Sequence, residues 1–371
     1  MCPMPDLLMP RCTARLAERL AAIDAEGLRR TLRPPAGIDL CSNDYLGLAE
    51  HSHLKQRMAD AVMAEGVGST GSRLLRGERS GFARVEEKFA RFKGAERSLY
   101  FSSGYLANLA VLTTFPEVGD AIFSDERNHA SLIDGARLSR ARRVVFPHND
   151  AAALEQLLRK DTGAGQKFVV VESLFSMDGD QAPIAEYAAL CRATGAELIV
   201  DEAHAIGVYG ERGRGLAGEV FVSINTAGKA MGVSGAFVAG SADAIEYMIQ
   251  RARPFIFSTA PPPAIAAALE ASLEVIVNEP ERRERLLVRA RYLRERLGFA
   301  GDSPIIPIII GENEHAVAVA RELQATGFDV RAIRPPTVPF GTARLRVTVN
   351  QGLSEEVLDR FVEALAAARE A

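Results

Sequence analysis

Apolar positions along the chain fall into two rhythms. Between about residues 80 and 240, short apolar runs recur: SLYFS (98–102), AIF (121–123), RVVF (143–146), FVVVE (168–172), ELIVD (197–201), VFVSI (220–224) and GAFVAG (235–240). Most are unbroken rather than alternating, as expected for strands buried on both faces. Many are separated by stretches with apolar residues at every third or fourth position. One such stretch predicts a helix that Ser80 can cap, carrying Phe82, Val85, Phe89 and Phe92 and stopping at Gly94. The alternation predicts an α/β fold, a mostly parallel central sheet flanked by helices.

The two ends read differently. Residues 12–31 predict an amphipathic helix with Leu16, Leu20, Ile23 and Leu28 on one side, followed by a short strand ending near Cys41 and the turn SNDYLG. A helix follows over about 52–64. Helices resume after the PPP of 261–263 and continue to about 298. Strands IIPIII (305–310), FDVRAI (328–333) and ARLRVTV (343–349) then surround a helix at 314–326, and a last helix starts near 354. This tail predicts a smaller α+β domain. The expected division is an N-terminal segment, 1–45, packing with the small domain, a large domain, 46–260, and a C-terminal small domain, 261–371. At roughly 150 residues per domain, 371 residues allow two or three.

Composition narrows the partners. Apolar residues make up 47%, charged residues 25%, and the net charge is −4. That balance suggests neither a nucleic acid nor a membrane as partner. No run of eighteen apolar residues occurs, and MCPMPDLLMPR lacks the apolar core of a signal peptide. Cys2, Cys12, Cys41 and Cys191 form no C-x-x-C pair or disulfide framework, so a reducing, cytoplasmic location is expected, with no metal site.

Candidate chemistry gathers where the predicted strands end, the edge on which open α/β sheets bind ligands. Asp201 ends one strand, in VDEAHAIGVYG, and Glu172 another, in VVVESLFSMDGD. Ser103, Gly104 and Tyr105 join a strand to a helix, His129 opens a helix in DERNHASLIDG, and Lys229 follows a strand in NTAGKAMG. A lysine bonds covalently to an aldehyde cofactor when part of it is deprotonated, which burial favours. Pyridoxal phosphate (PLP) further needs a carboxylate beside its ring nitrogen, and Asp201 is placed for that. Its phosphate suits a helix N-terminus with hydroxyls, here Ser103-Gly104-Tyr105 and Thr226. A flat imidazole, His129, can stack on the ring. Each signal alone is weak, since a lone loop lysine is ordinarily a solvated surface residue; order and spacing carry the case. GVYGERGRG (207–215) lacks the spacing and the strand-to-turn context of a dinucleotide loop.

In that order and spacing the chain resembles the α-oxoamine synthase family of fold-type I PLP enzymes. The resemblance rests on CSNDYLGL (41–48), GSTGSRLLRG (68–77), YFSSGYLAN (100–108), DERNHASLIDGARLS (125–139), VVESLFSMDGDQAPI (170–184), VDEAHAIGVYGERGRG (200–215), NTAGKAMGVSGAFVAG (225–240), FIFSTAPPP (255–263) and PPTVPFGTARLRVTV (335–349). It implies that Lys229 is the Schiff-base lysine and proton-transfer base, Asp201 the partner of the pyridine nitrogen, His204 a contact to the phenolic oxygen, and His129 the stacking ring. Glu172 and Ser176 would lie around cofactor and substrate, and Ser103, Gly104, Tyr105 and Thr226 at the phosphate. Thr259 would reach the phosphate from the other subunit of a homodimer whose active sites lie at the interface. Ser72 would also reach across, and Asn43 and Arg346 would handle the amino-acid substrate. The implied reaction condenses an amino acid with an acyl thioester and releases carbon dioxide. PPTVP followed by GTARLR is most similar to members joining L-alanine to a pimeloyl thioester, on CoA or a carrier protein, in biotin synthesis; members using glycine and acetyl-CoA, or another α-oxoamine synthase, are the alternative. Two segments depart from the family pattern: the tail reads VNQGLSEE (349–356) where A-x-H is usual, and the stretch from Gly215 to Thr226 is short.

Overall fold

The computed structural model describes residues 11–370. They form two compact units, one of Ser42–Ile305 with Thr348–Glu355, the other of residues 11–41 with Ile306–Val347 and residues 356–370. The strands are β1 (Ile38–Asp39), β2 (Arg97–Phe101), β3 (Ala121–Asp125), β4 (Arg142–Phe146), β5 (Lys167–Glu172), β6 (Ala196–Asp201), β7 (Val222–Thr226), β8 (Ala236–Gly240), β9 (Ile305–Gly311), β10 (Phe328–Asp329), β11 (Ala332–Ile333) and β12 (Ala343–Thr348).

In the larger unit seven strands form one sheet in the order β2-β8-β7-β6-β5-β3-β4. Only β8 runs against its neighbours, β2 and β7; the remaining pairs are parallel. The unbroken apolar runs are explained by burial on both faces. Phe168 and Val170 of β5 enter one core cluster with Ile122, Ile199 and Ile224. Val169 and Val171 enter the other with Phe123, Leu198 and Val200. Successive side chains of a strand point to opposite faces, so a strand covered on both sides has no polar position to spare.

Register aligns the strand ends. Thr226 pairs with Ala236, and Ala236 with Phe101. Asp201 lies opposite Ile224 on one side and Glu172 on the other. Six parallel strands thus deliver their carboxyl ends to one edge. β7 and β8 also form a hairpin, closed across its mouth by Ala227 N–H to Gly235 O at 2.8 Å and Val233 N–H to Ala227 O at 3.0 Å.

The expected boundary at 260/261 is corrected to 305/306. Helix Ala264–Asn278 packs on helices Ser52–Glu65 and Ser80–Lys93 of the larger unit. Its buried Glu270 meets Arg57, Arg84 and Lys88, and Ser272 donates to Met231 O at 2.7 Å. Periodicity alone does not say which core a helix covers.

The smaller unit holds a three-stranded sheet, β11-β12-β9, and the two-residue parallel pair of β1 with β10. FDVRAI is not one strand. Arg331 bends back to hold both carboxylate oxygens of Asp329 at 2.6 and 3.1 Å, which separates β10 from β11. The N-terminal helix is Arg11–Ala25, shorter than the expected 12–31. Gly27, at φ 63°, turns the chain out of the helix. Leu16, Leu20 and Ile23 are exposed on this chain.

Candidate active site

The sheet edge gathers most of the sequence-predicted residues of the larger unit. Lys229 is half-buried in the β7–β8 hairpin. Its Nζ lies 2.8 Å from Nε2 of buried His204, whose Nδ1 lies 2.6 Å from the hydroxyl of Tyr45. Tyr45 in turn donates to Asn43 Oδ1 at 3.3 Å. A protonated Lys229 donates to Nε2, leaving the Nδ1 proton for Tyr45.

A second chain of bonds starts at Asp201. This carboxylate is 4% exposed; it accepts from Ala203 N–H at 2.9 Å and from Asn108 Nδ2 at 2.7 Å. The same amide nitrogen donates to Ser131 Oγ at 2.8 Å, which lies 2.7 Å from His129 Nδ1. The Ser131 backbone N–H also donates to Nδ1, at 3.2 Å. A ring nitrogen that accepts from a backbone N–H carries no proton, so the Ser131 hydroxyl donates as well. His129 is therefore the neutral tautomer with its proton on Nε2. Desolvation holds its pKa below the ordinary value; Asp201 opposes that shift and Lys229 reinforces it.

Glu172, beside Asp201, is fully enclosed. Burial pushes its pKa up to about 8, the charge of Asp201 adds to this, and Lys229 and the backbone N–H groups of His129 and Ser176 oppose it. One of its oxygens and the amide oxygen of Asn108 are buried without partners.

Ser103 caps helix Gly104–Thr114, its hydroxyl accepting from Leu106 N–H at 3.2 Å. The first-turn N–H groups of Gly104 and Tyr105 point out of the helix end. A Cβ at 104 would collide with Thr226 Oγ1, so only glycine lets this helix start meet the end of β7. The Tyr105 hydroxyl turns to Asp134. Ser72 and Thr259 pair with each other across an antiparallel bridge, and among the described residues no bond ties either to the Lys229 cluster. Arg346 is buried on β12 of the smaller unit.

Sequence reasoning passed over three members of these chains. Asn108 stands one helical turn after Gly104, Ser131 two residues after His129, and Tyr45 inside SNDYLG. Their signal was position beside a strand-end residue; their types, neutral and common, carried none.

The edge fits PLP on its own chemistry. Asp201 is a buried carboxylate with no cation paired to it among the described residues, the environment a protonated pyridine nitrogen completes. The Gly104 helix start and Thr226 offer N–H and hydroxyl groups to a phosphate.

The sequence profile of class I and II aminotransferases matches residues 35–365. The chain belongs to that family. Among its class I and II relatives, the 8-amino-7-oxononanoate synthase of Geobacter sulfurreducens is 45% identical over 95% of this chain and 97% of its own length. That of Anaeromyxobacter dehalogenans is 46% identical over 95% and 94%. Among solved structures, a serine palmitoyltransferase of S. paucimobilis with bound PLP–myriocin aldimine superposes with a TM-score of 0.89 at 29% identity, covering 98% of each chain. The 8-amino-7-oxononanoate synthase of Francisella tularensis gives 0.77 at 29% identity, covering 90% of this chain and 98% of that one. Within the class I and II family this chain is an α-oxoamine synthase of fold-type I and depends on PLP.

Proposed function

We propose that the chain joins L-alanine to a pimeloyl thioester and releases 8-amino-7-oxononanoate, carbon dioxide and free thiol, as a cytoplasmic homodimer. The observation that carries this reading is that Lys229 and Asp201, the latter paired with no cation among the described residues, stand at one sheet edge. Two relatives 45% and 46% identical over 95% of the chain bear that synthase name, which supports alanine and pimeloyl as the substrate pair.

PLP, when bound, supplies an aldehyde for covalent attachment and a protonated ring that draws electrons from the substrate α-carbon. Lys229 carries the amine and removes the α-proton with Nζ. His204 orients Nζ from the side and contacts the phenolic oxygen, with Tyr45 fixing its ring. Asp201 holds the proton on the pyridine nitrogen, and Asn108 holds Asp201. His129 stacks on the ring and presents Nε2–H as a donor to the substrate carboxyl group that leaves as carbon dioxide. Ser103, Gly104, Tyr105 and Thr226 bind the phosphate, while Glu172 and Ser176 line the site around cofactor and substrate. Asn43 takes the amino acid; for Arg346 the role rests on the resemblance alone, a guanidinium suited to a substrate carboxylate. Thr259 and Ser72 serve the site of the second copy. The exposed Leu16, Leu20 and Ile23 support a homodimer, because an apolar helix face ordinarily finds cover.

A substrate panel tests the reading: alanine, glycine and serine crossed with pimeloyl, acetyl, succinyl and palmitoyl thioesters, followed by carbon dioxide release. Alanine with pimeloyl thioester is expected to give the highest kcat/KM. A preference for any other pair overturns the assignment.

A further inference from the structure

The segment 69–77 of the larger unit is held more firmly than a surface loop requires. On either side of the Ser72–Thr259 bridge, Ala260 N–H donates to Gly71 O at 2.9 Å and Ser69 Oγ to Pro261 O at 2.5 Å. Gly77 N–H returns to Ser72 O at 2.9 Å and closes the loop on itself.

Arg73 anchors this segment. Its side chain is 9% exposed. Nε and Nη2 donate to the two oxygens of Glu78 at 2.5 and 2.9 Å. Nη1 and Nη2 donate to the two oxygens of Glu86, Nη2 at 3.1 Å. The guanidinium lies 5.0 Å from the ring centre of Phe82 and 5.5 Å from that of Phe255. Glu86 also accepts from Tyr100 N–H of β2 at 2.7 Å. The residue next to Ser72 is thereby tied to helix Ser80–Lys93, to β2 and to the short helix Arg253–Ile256 that leads to Thr259.

Stability is a poor reason for such a cluster. Desolvation offsets most of the attraction in a buried ion cluster, and apolar residues of the same volume hold a fold as well. What a two-pronged fork supplies is a single geometry. Yet the residues it fixes bond to nothing in the Lys229 cluster of their own chain. Ser72 Oγ makes no capping bond, and Thr259 is exposed. Leu74, Leu75 and Phe257, beside them in the chain, are exposed as well. A rigid pair of hydroxyls with an apolar rim is a surface prepared for a partner.

We propose that Arg73 is a positioning residue for the PLP site of a second copy: by fixing Ser72 and Thr259 it sets the contacts that one chain makes to the phosphate in the other. The inference rests on the homodimer proposed above and names the residue that makes its cross-subunit contact rigid.

The test compares homodimers with mixed dimers. Arg73→Lys keeps the charge and loses the fork. In the Arg73→Lys homodimer the dissociation constant for PLP, read from the covalent absorption band, is expected to rise about tenfold, the cost of misplacing a contact group by part of an ångström. Co-expression of two differently tagged full-length chains then isolates a dimer of one Lys229→Ala chain and one Arg73→Lys chain. Its only lysine-bearing site faces the intact Arg73 of the other chain. That site is expected to bind PLP within about twofold of wild type, and the dimer to regain about half of wild-type carbon dioxide release, one site of two. Glu78→Gln removes one prong and leaves buried Glu86 in place. It is expected to give the same pattern with a shift of about threefold, and it decides the matter if Arg73→Lys does not fold. A mixed dimer as weak as the Arg73→Lys homodimer makes Arg73 a support of its own chain and overturns the proposal. So does wild-type PLP affinity in both variant homodimers. A wild-type protein that sediments as a monomer sinks the homodimer and this proposal together. The absorption titration needs no acyl substrate, so it decides the role of Arg73 even where the condensation fails.

Discussion

Two neighbouring strand ends of the large sheet are built from the same residue types and resolved in opposite ways. Beyond β3 and β4, His148 stands between two carboxylates, Nδ1 at 2.9 Å from Asp125 and Nε2 at 2.7 Å from Asp180. Asn149 closes the cluster, with its N–H on Asp125 at 2.9 Å and its Nδ2 on Asp180 at 2.8 Å. Burial alone would lower the imidazole; its hydrogen bonds to the two acids instead carry its pKa up to about 9. Beyond β5 and β6, Glu172 and Asp201 are as deeply enclosed but have only neutral donors and a lysine that is bonded to His204. The first cluster is electrostatically finished within the chain. The second is complete only when something brings a positive charge to Asp201. Carboxylate burial therefore says little about function until its counter-charge is counted.

The largest expected effect comes from removing the proposed covalent anchor. Lys229→Ala should cut turnover by about 10³-fold or more, the upper part of what a general base contributes. The covalent absorption band of bound PLP should vanish while the thermal midpoint of the cofactor-free protein holds. Substantial turnover by the well-folded variant would refute the role. Next comes Asp201→Asn, which removes charge but little volume. Turnover should fall about 100-fold, in line with an electrostatic group lost from an enclosed site. The cofactor-free protein should lose about 1–2 kcal/mol, because the new amide sets an N–H against one of the two donors, Asn108 Nδ2 or Ala203 N–H, that the carboxylate accepts from. A loss of about 3 kcal/mol or more, the size of a broken buried ion pair, would end the contrast between the two strand ends. The smallest effect lies at the finished cluster. His148→Gln should cost about 2 kcal/mol near pH 6.5, the range for charged hydrogen bonds, with little change in kcat. The folded pKa, about 9, exceeds the ordinary 6.5. The stabilisation is thus complete below about 6.5 and lost as pH rises through about 9. Denaturant unfolding of both proteins at pH 6.5 and 9.5 checks this, and a constant gap would refute it.

The parallel sheet was legible because its strands are covered on both faces and read as unbroken apolar runs. The candidate site was legible as a place because the fold gathers strand ends at one edge, so Asp201, Glu172 and Lys229 stood out by position. What escaped notice has a common cause. Asn108, Ser131 and Tyr45 act by orienting another side chain, and orientation leaves no mark in periodicity. His148 follows β4 as an ordinary loop histidine until the fold brings Asp180 beside it, 32 residues on. The helices of 261–305 show the apolar spacing of any covered helix, and the destination of that face is set by tertiary packing. Leu16, Leu20 and Ile23 promised a buried stripe that this chain does not bury.

The β7–β8 hairpin has one more consequence. Because β8 turns back into the sheet, Lys229 rides on a closed span with both feet fixed in adjacent strands, rather than on a loop leading to a helix. For anyone rewiring the polypeptide, this makes 227–235 the worst place to open new chain ends or to splice in a reporter. A cut there would leave every strand in the sheet and set the reactive amine adrift.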